Sequence, residues 1–248
     1  IVNPQNMKKE DFIDGGTATE EMLDFLAECL RYGISICVAG ATSSGKTTLA
    51  GWLLTTIPDG KRIFTIENGS RELALVREKD GKVTNSVIHT LTRYSENEKQ
   101  NIDQDMLLDM ALRFNPEIIC VGEMRSSEAY TAQESARTGH TVLTTIHSNS
   151  CESTYSRMRT LCKRKYDMDD EVLMDLVTEA FPIVVFTKQL ENRKRKLMEI
   201  MECEITADGK RKFNPLYRYE ITENRMEGDR FIINGTHKKA VSYTHLRA

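Results

Sequence analysis

The sequence predicts an α/β fold in which a mainly parallel sheet carries helices on both faces and gains antiparallel strands toward its C-terminal end. Two observations predict it. Between residues 34 and 146, short apolar runs without polar alternation take turns with segments of helical periodicity, as expected of strands covered on both faces. Beyond residue 183 the pattern changes to strand-like runs joined by charged or glycine-containing turns such as Asp208-Gly209.

The elements follow in order. Thr17 and Glu20 match a capping box, and Met22, Leu23, Leu26 and Leu30 share one helical face until Gly33 ends the helix. Residues 34–39 read as a buried strand, and a glycine-bracketed loop leads into a helix over 47–56 that stops near Pro58. A strand is expected at 62–67, and a turn followed by a strand within 82–92. The spacing of Met106, Leu107, Met110 and Ala111 predicts a helix over 105–114, which Asn115-Pro116 separates from a strand at 118–121. A helix over 127–137, a strand at 142–146 and helices over 151–163 and 169–180 come next. Strands at 183–190, 197–205, 216–222 and 231–234 are expected to extend or flank the main sheet.

Composition narrows the function classes. A formal net charge of −3 offers no global basic field for nucleic acid or acidic lipid. Aromatic residues are 7% of the chain and form no cluster, so a base-stacking groove is not indicated and nucleic acid is not expected as a partner. The basic runs Lys163-Arg164-Lys165 and Arg193-Lys194-Arg195-Lys196 read as solvated helix ends and hairpin turns. None of the six cysteines forms a Cys-x-x-Cys pair, which argues against a zinc knuckle or a thioredoxin-like site. Cys37 and Cys120 lie inside apolar runs as small buried hydrophobes, and a reducing compartment fits. No apolar stretch approaches the roughly 20 residues that span a bilayer. A cytoplasmic location is expected, with any membrane association made through partners or through a missing part of the chain. The chain opens at Ile1 as an excised fragment would, and 241–248 read as a non-native tail, which leaves 1–240 as the domain.

One motif fixes the ligand class. Gly40-Ala41-Thr42-Ser43-Ser44-Gly45-Lys46-Thr47 satisfies G-x-x-x-x-G-K-[ST] between a predicted strand and a predicted helix. Its glycines let backbone N–H groups converge on phosphate oxygens at the positive end of a helix dipole. Lys46 is expected to reach the β- and γ-phosphates, and Thr47 to offer its hydroxyl to Mg²⁺. With Thr48, these residues form the expected ATP-binding set.

Carboxylates and histidines supply the second layer. Glu123, at the end of the apolar run 118–121, is expected to emerge beside the loop, to hold Mg²⁺ through water or to position water. The alternative is an exposed turn acid. Glu67 and Glu72, after the strand at 62–67, are candidates to orient the attacking water, Glu72 first. His140 and His147 stand seven apart at the two ends of a strand and on opposite faces, which argues against a shared metal. His147, at the carboxyl end, is the better placed to sense nucleotide.

Taken together, the loop, the acidic box at 67–72, the hydrophobic-Gly-Glu-x-Arg run to Arg125 and the Thr-Gly-His-x(6)-His box at 138–147 resemble the type II/IV secretion ATPase superfamily. The sequence is most similar to its CpaF-type branch, which assembles tight-adherence pili. This resemblance spans about 17–234. It implies a RecA-like ATPase core, a homohexamer, and docking on inner-membrane platform proteins at the inner face of the plasma membrane. It also implies that Glu72 is the acidic-box glutamate and Glu123 the Walker B glutamate. His140 and His147 would form the histidine box, and Arg93 and Arg113 are candidates to stabilise phosphate charge across a subunit boundary. The family's N-terminal domain is absent, the acidic box reads Glu-Asn-Gly, and the tetracysteine insert of some relatives is missing. A nucleic-acid translocase on the same core and a non-catalytic, nucleotide-gated scaffold remain the competing readings.

Overall fold

The computed structural model describes residues 7–240. The expected non-native tail, 241–248, lies outside the described residues. The elements run α1 (Lys9–Asp14), α2 (Glu20–Arg31), β1 (Ile36–Gly40), α3 (Lys46–Thr55), β2 (Arg62–Glu67), β3 (Glu78–Lys79), β4 (Lys82–Val83), β5 (Ser86–Leu91), α4 (Gln104–Arg113), β6 (Ile118–Met124), α5 (Glu128–Arg137), β7 (Thr141–Ile146), α6 (Cys151–Cys162), α7 (Asp170–Ala180), β8 (Ile183–Gln189), β9 (Arg195–Ile205), β10 (Arg211–Glu227) and β11 (Arg230–Lys239).

Nine strands form one sheet in the order β11-β10-β9-β8-β1-β7-β6-β2-β5. From β8 to β5 every neighbouring pair is parallel, and from β8 to β11 every pair is antiparallel. Alternate residues of each central strand face opposite layers, as the two-residue period of a strand requires. Ile36, Val38, Ile63, Cys120 and Leu143 pack on the side of α2 and α3, with Leu23, Leu26, Leu53 and Leu54. Cys37, Ala39, Phe64, Val121 and Val142 pack on the other side, with Leu108, Ala132, Tyr155 and Val177 from α4 to α7. Both faces of β1 are therefore dry, which explains its lack of polar alternation. All six cysteines are buried. Burial pushes the thiols of Cys29 and Cys162 up to about 12, as suits packing residues rather than nucleophiles.

Three expectations are corrected. The cap of α2 is Thr19, whose Oγ1 accepts from the Met22 amide at 3.3 Å, not Thr17. Thr17 instead ties the chain to β9, its carbonyl accepting from the Leu197 amide at 2.8 Å. The turn expected within 82–92 falls earlier, at Asp80-Gly81, where both residues adopt positive φ and close the small β3–β4 hairpin. β10 and β11 run far beyond 216–222 and 231–234, because the residues that extend them, such as Glu223-Asn224-Arg225 and Thr236-His237-Lys238-Lys239, form no apolar run. There Asn224 pairs with Ile233 across the strands, and Arg225 meets Glu223 at 2.6 Å.

Candidate functional site

The loop 40–45 joins the carboxyl end of β1 to α3, in the middle of the parallel part of the sheet. It winds through a left-handed residue at Ser43 (φ 63°) and another at Gly45 (φ 99°), the N-cap of α3. Two contacts from the C-terminal half of the chain pin it. Ser44 Oγ lies 2.9 Å from Thr187 Oγ1 of β8, and Arg195 Nε of β9 donates to the Ser43 carbonyl at 2.8 Å. Gly40 is required by close approach: a Cβ there would collide with the Thr187 carbonyl and with Ser44 Oγ. Gly40→Ala is therefore expected to destabilise the fold by about 1–3 kcal/mol, the usual cost of overpacking. The shift would be read from the denaturant midpoint, and an unchanged midpoint would contradict this packing.

Lys46 begins α3 and is 7% exposed. Its Nζ donates to the Ala41 carbonyl at 2.9 Å, and burial lowers its pKa. A partly desolvated ammonium held by one neutral acceptor is a site for an anion. Thr47 and Thr48 line a cavity of about 360 Å³ with Glu72 and Arg71.

Glu123 is delivered by an irregularity in β6. Val121 pairs with Thr144 and Met124 with Ile146, so Gly122 and Glu123 together oppose Thr145 alone. Such a bulge re-aims a side chain at the end of a strand. The Gly122 carbonyl accepts from Thr145 Oγ1 at 2.7 Å, and the Glu123 carbonyl accepts from Gln104 Nε2 at 3.0 Å. The carboxylate meets Arg125 Nη2 at 2.6 Å through Oε2, and His147 Nε2 lies 3.0 Å from Oε1. The His147 approach lacks hydrogen-bond geometry, so Oε1 is buried with no hydrogen-bond partner. The charges of Glu123 and Arg125 both act on Lys46, the first raising and the second lowering its pKa.

Glu67 ends β2 and is almost wholly buried. Its Oε1 accepts from the amides of Glu72 (2.7 Å) and Leu73 (3.0 Å), while Oε2 is buried without a hydrogen-bond partner, 3.8 Å from His89 Nδ1. Glu67 thus shapes the turn that presents Glu72, whose exposed side chain shares the cavity with Thr47.

The structure brings Lys46, Thr47, Glu67, Glu72, Glu123 and His147 to the carboxyl edge of the sheet. It does not bring His140 there. His140 precedes β7, and its Nδ1 lies 3.0 Å from the Pro116 carbonyl, so the strand's full length of about 20 Å separates it from the loop. Arg113 is likewise at the amino edge, on the last turn of α4, and exposed. Arg93 lies just beyond β5 at the carboxyl edge, its amide and carbonyl both bonded to Ile102. Sequence reasoning missed Arg195 and Thr187. It also set aside both basic runs as solvated. Arg195 touches the loop, and Lys165 Nζ sits 2.9 Å from Asp105 and 2.7 Å from Thr131 Oγ1.

Mg²⁺ fits the donors present. Thr47 offers a hydroxyl, and Glu123 a buried oxygen without a hydrogen-bond partner, both hard ligands of the kind this ion takes while keeping several waters. Among the described residues no cluster of three or more His, Cys, Asp or Glu side chains is arranged to cage a metal alone.

A parallel sheet with a glycine-rich loop feeding a helix, and an acidic residue at the end of the second strand along, defines a P-loop NTPase fold with a RecA-like core. The chain belongs to the type II/IV secretion system protein family, whose model matches residues 1–241. An uncharacterized protein of Methanocaldococcus jannaschii is 35% identical over 147 residues, covering 59% of this chain and 25% of its own. Type IV secretion system protein VirB11 of Bartonella quintana is 28% identical over 194 residues, 74% of this chain and 50% of its own. The chain thus spans about half or less of the length of these curated relatives. Among solved structures, the VirB11 ATPase of the Brucella suis type IV secretion system, in complex with sulphate, superposes with a TM-score of 0.62 at 24% identity. That match covers 80% of this chain and 59% of the other, and it shows the shared fold.

Proposed function

We propose that residues 1–240 form the ATP-hydrolysing domain of a hexameric motor that assembles a pilus or drives secretion, of the CpaF type. The observation that carries this reading is Glu123, lifted by the β6 bulge to the edge where Lys46 stands in the loop. Family membership supports it, as does the fold shared with a pilus retraction motor, PilT with bound ADP, at a TM-score of 0.50. In this reading the motor docks at the membrane through platform proteins; among the described residues no helix is long and apolar enough to cross a membrane.

ATP lies with its phosphates against the backbone amides of 42–48, and Lys46 leaves the Ala41 carbonyl for the β- and γ-phosphates. Thr47 and, through water, Glu123 would hold Mg²⁺, which would supply charge neutralisation at the phosphates. Glu72 orients the attacking water, on a turn fixed by Glu67. The water oxygen bonds to the terminal phosphorus as the bond to the bridging oxygen breaks. The electron pair leaves with ADP, and the water's proton passes to Glu123. His147 stays beside Glu123 to respond to the phosphate. Arg93, exposed at the carboxyl edge of the outermost strand, is placed to complete a neighbour's site, and Arg113 acts only across such a boundary.

The reading predicts Mg²⁺-dependent phosphate release whose specific rate rises with protein concentration as rings assemble. Equal specific activity from a strict monomer, established by light scattering, would overturn the motor.

A further inference from the structure

Arg125 has no role in the scheme above, yet its guanidinium pairs with Glu123. Its main chain is fixed: the amide donates to Glu128 Oε1, and the carbonyl accepts from Arg164 Nη1 at 3.2 Å. Its side chain is 62% exposed and is held at its tip by Glu123, whose own side chain is 17% exposed. The guanidinium feels the charges of both Glu123 and Glu72, and its own charge acts on Lys46. It therefore lies within electrostatic reach of the loop lysine and of both carboxylates expected to handle water. With its arginine end largely in solvent, this pair is screened and contributes only modestly. A terminal phosphate offers the same guanidinium more charge and a fork-shaped match to its N–H groups.

We propose that Arg125 is a phosphate-responsive latch: with the site empty it neutralises Glu123, and the terminal phosphate of a bound nucleoside triphosphate takes it over. That exchange frees the carboxylate to accept hydrogen bonds from water in the cleft. The latch distinguishes triphosphate from diphosphate, because only the former presents a group where Arg125 can reach. It rests on the ATP-hydrolysing reading of this site.

The test compares equilibrium binding of ADP and of a slowly hydrolysed ATP analogue, with Mg²⁺, to the wild-type chain, Arg125→Gln and Arg125→Lys. In the glutamine variant ADP affinity is expected to stay within about twofold, while the analogue loses about tenfold relative to ADP, a typical coupling between linked sites. The lysine variant keeps the charge but not the fork, and is expected to recover part of that ratio. A residue that only braced the fold would weaken both ligands together. An unchanged ratio in both variants overturns the latch and leaves the wider reading intact. If Arg125→Gln fails to fold, the lysine variant alone decides, since a wild-type ratio there also overturns the proposal. Wild-type protein that binds neither nucleotide overturns latch and ATPase reading together.

Discussion

Lys46→Ala is expected to remove nucleotide binding and turnover while leaving the fold in place. The ammonium is buried at the start of α3 and is held by one carbonyl, that of Ala41. Burial already lowers its pKa, so the cation has surrendered water without gaining a counter-ion on the loop itself. A triphosphate restores that lost solvation through charge-assisted hydrogen bonds, each contributing about 1.5–3 kcal/mol. Two such bonds correspond to a loss of at least about a hundredfold in ATP affinity, measured by titration calorimetry, with hydrolysis falling to background. The alanine forfeits one hydrogen bond and leaves an acceptor that the loop can hydrate, so the thermal midpoint should move little. Wild-type affinity in a folded Lys46→Ala protein would place the nucleotide elsewhere.

Glu123→Gln is expected to separate binding from chemistry. Glutamine keeps the size of the side chain, so the bulge at Gly122 and Glu123 and the Gln104 contact to the backbone survive. The negative charge is lost, and with it the ability to polarise water and accept its proton. General-base groups of this kind contribute roughly 10²–10⁴-fold, so single-turnover hydrolysis should slow by about a thousandfold. ATP binding should hold or tighten, because one carboxylate no longer opposes the phosphates. Hydrolysis at the wild-type rate would move the proton-accepting role from Glu123 to Glu72, which orients the water and shares the cavity with Thr47.

Much of this was legible in the sequence because it rests on local pattern. Strand 62–67 appears with its expected bounds, since Ile63, Phe64 and Ile66 mark a strand, buried from Ile63 onward, that ends at Glu67. The loop at 40–47 is recognisable because Gly40 meets its close contacts and Gly45 its left-handed turn into α3, and those constraints leave a fixed spacing. The opposite ends occupied by His140 and His147 follow from a spacing of seven along an extended strand. What could not be read depends on contacts distant in sequence. Arg195 reaches Ser43 across 152 residues, and nothing in a basic run at a hairpin distinguishes the arginine that meets the loop from those that meet water. The β6 bulge is equally hidden: apolar spacing shows that a strand is present, but not that two residues oppose one. Glu67 and Glu72 look alike as acids after a strand. Only the hydrogen bonds show one shaping the turn and the other facing the cavity.

The most direct measurement is a crystal structure of the chain with Mg²⁺ and a non-hydrolysable ATP analogue. The account predicts phosphate oxygens about 3 Å from the amides of 43–47 and from Lys46 Nζ, with Lys46 drawn off the Ala41 carbonyl and Glu123 turned toward the terminal phosphate. A nucleotide bound away from this loop, with Lys46 still on Ala41, would contradict it.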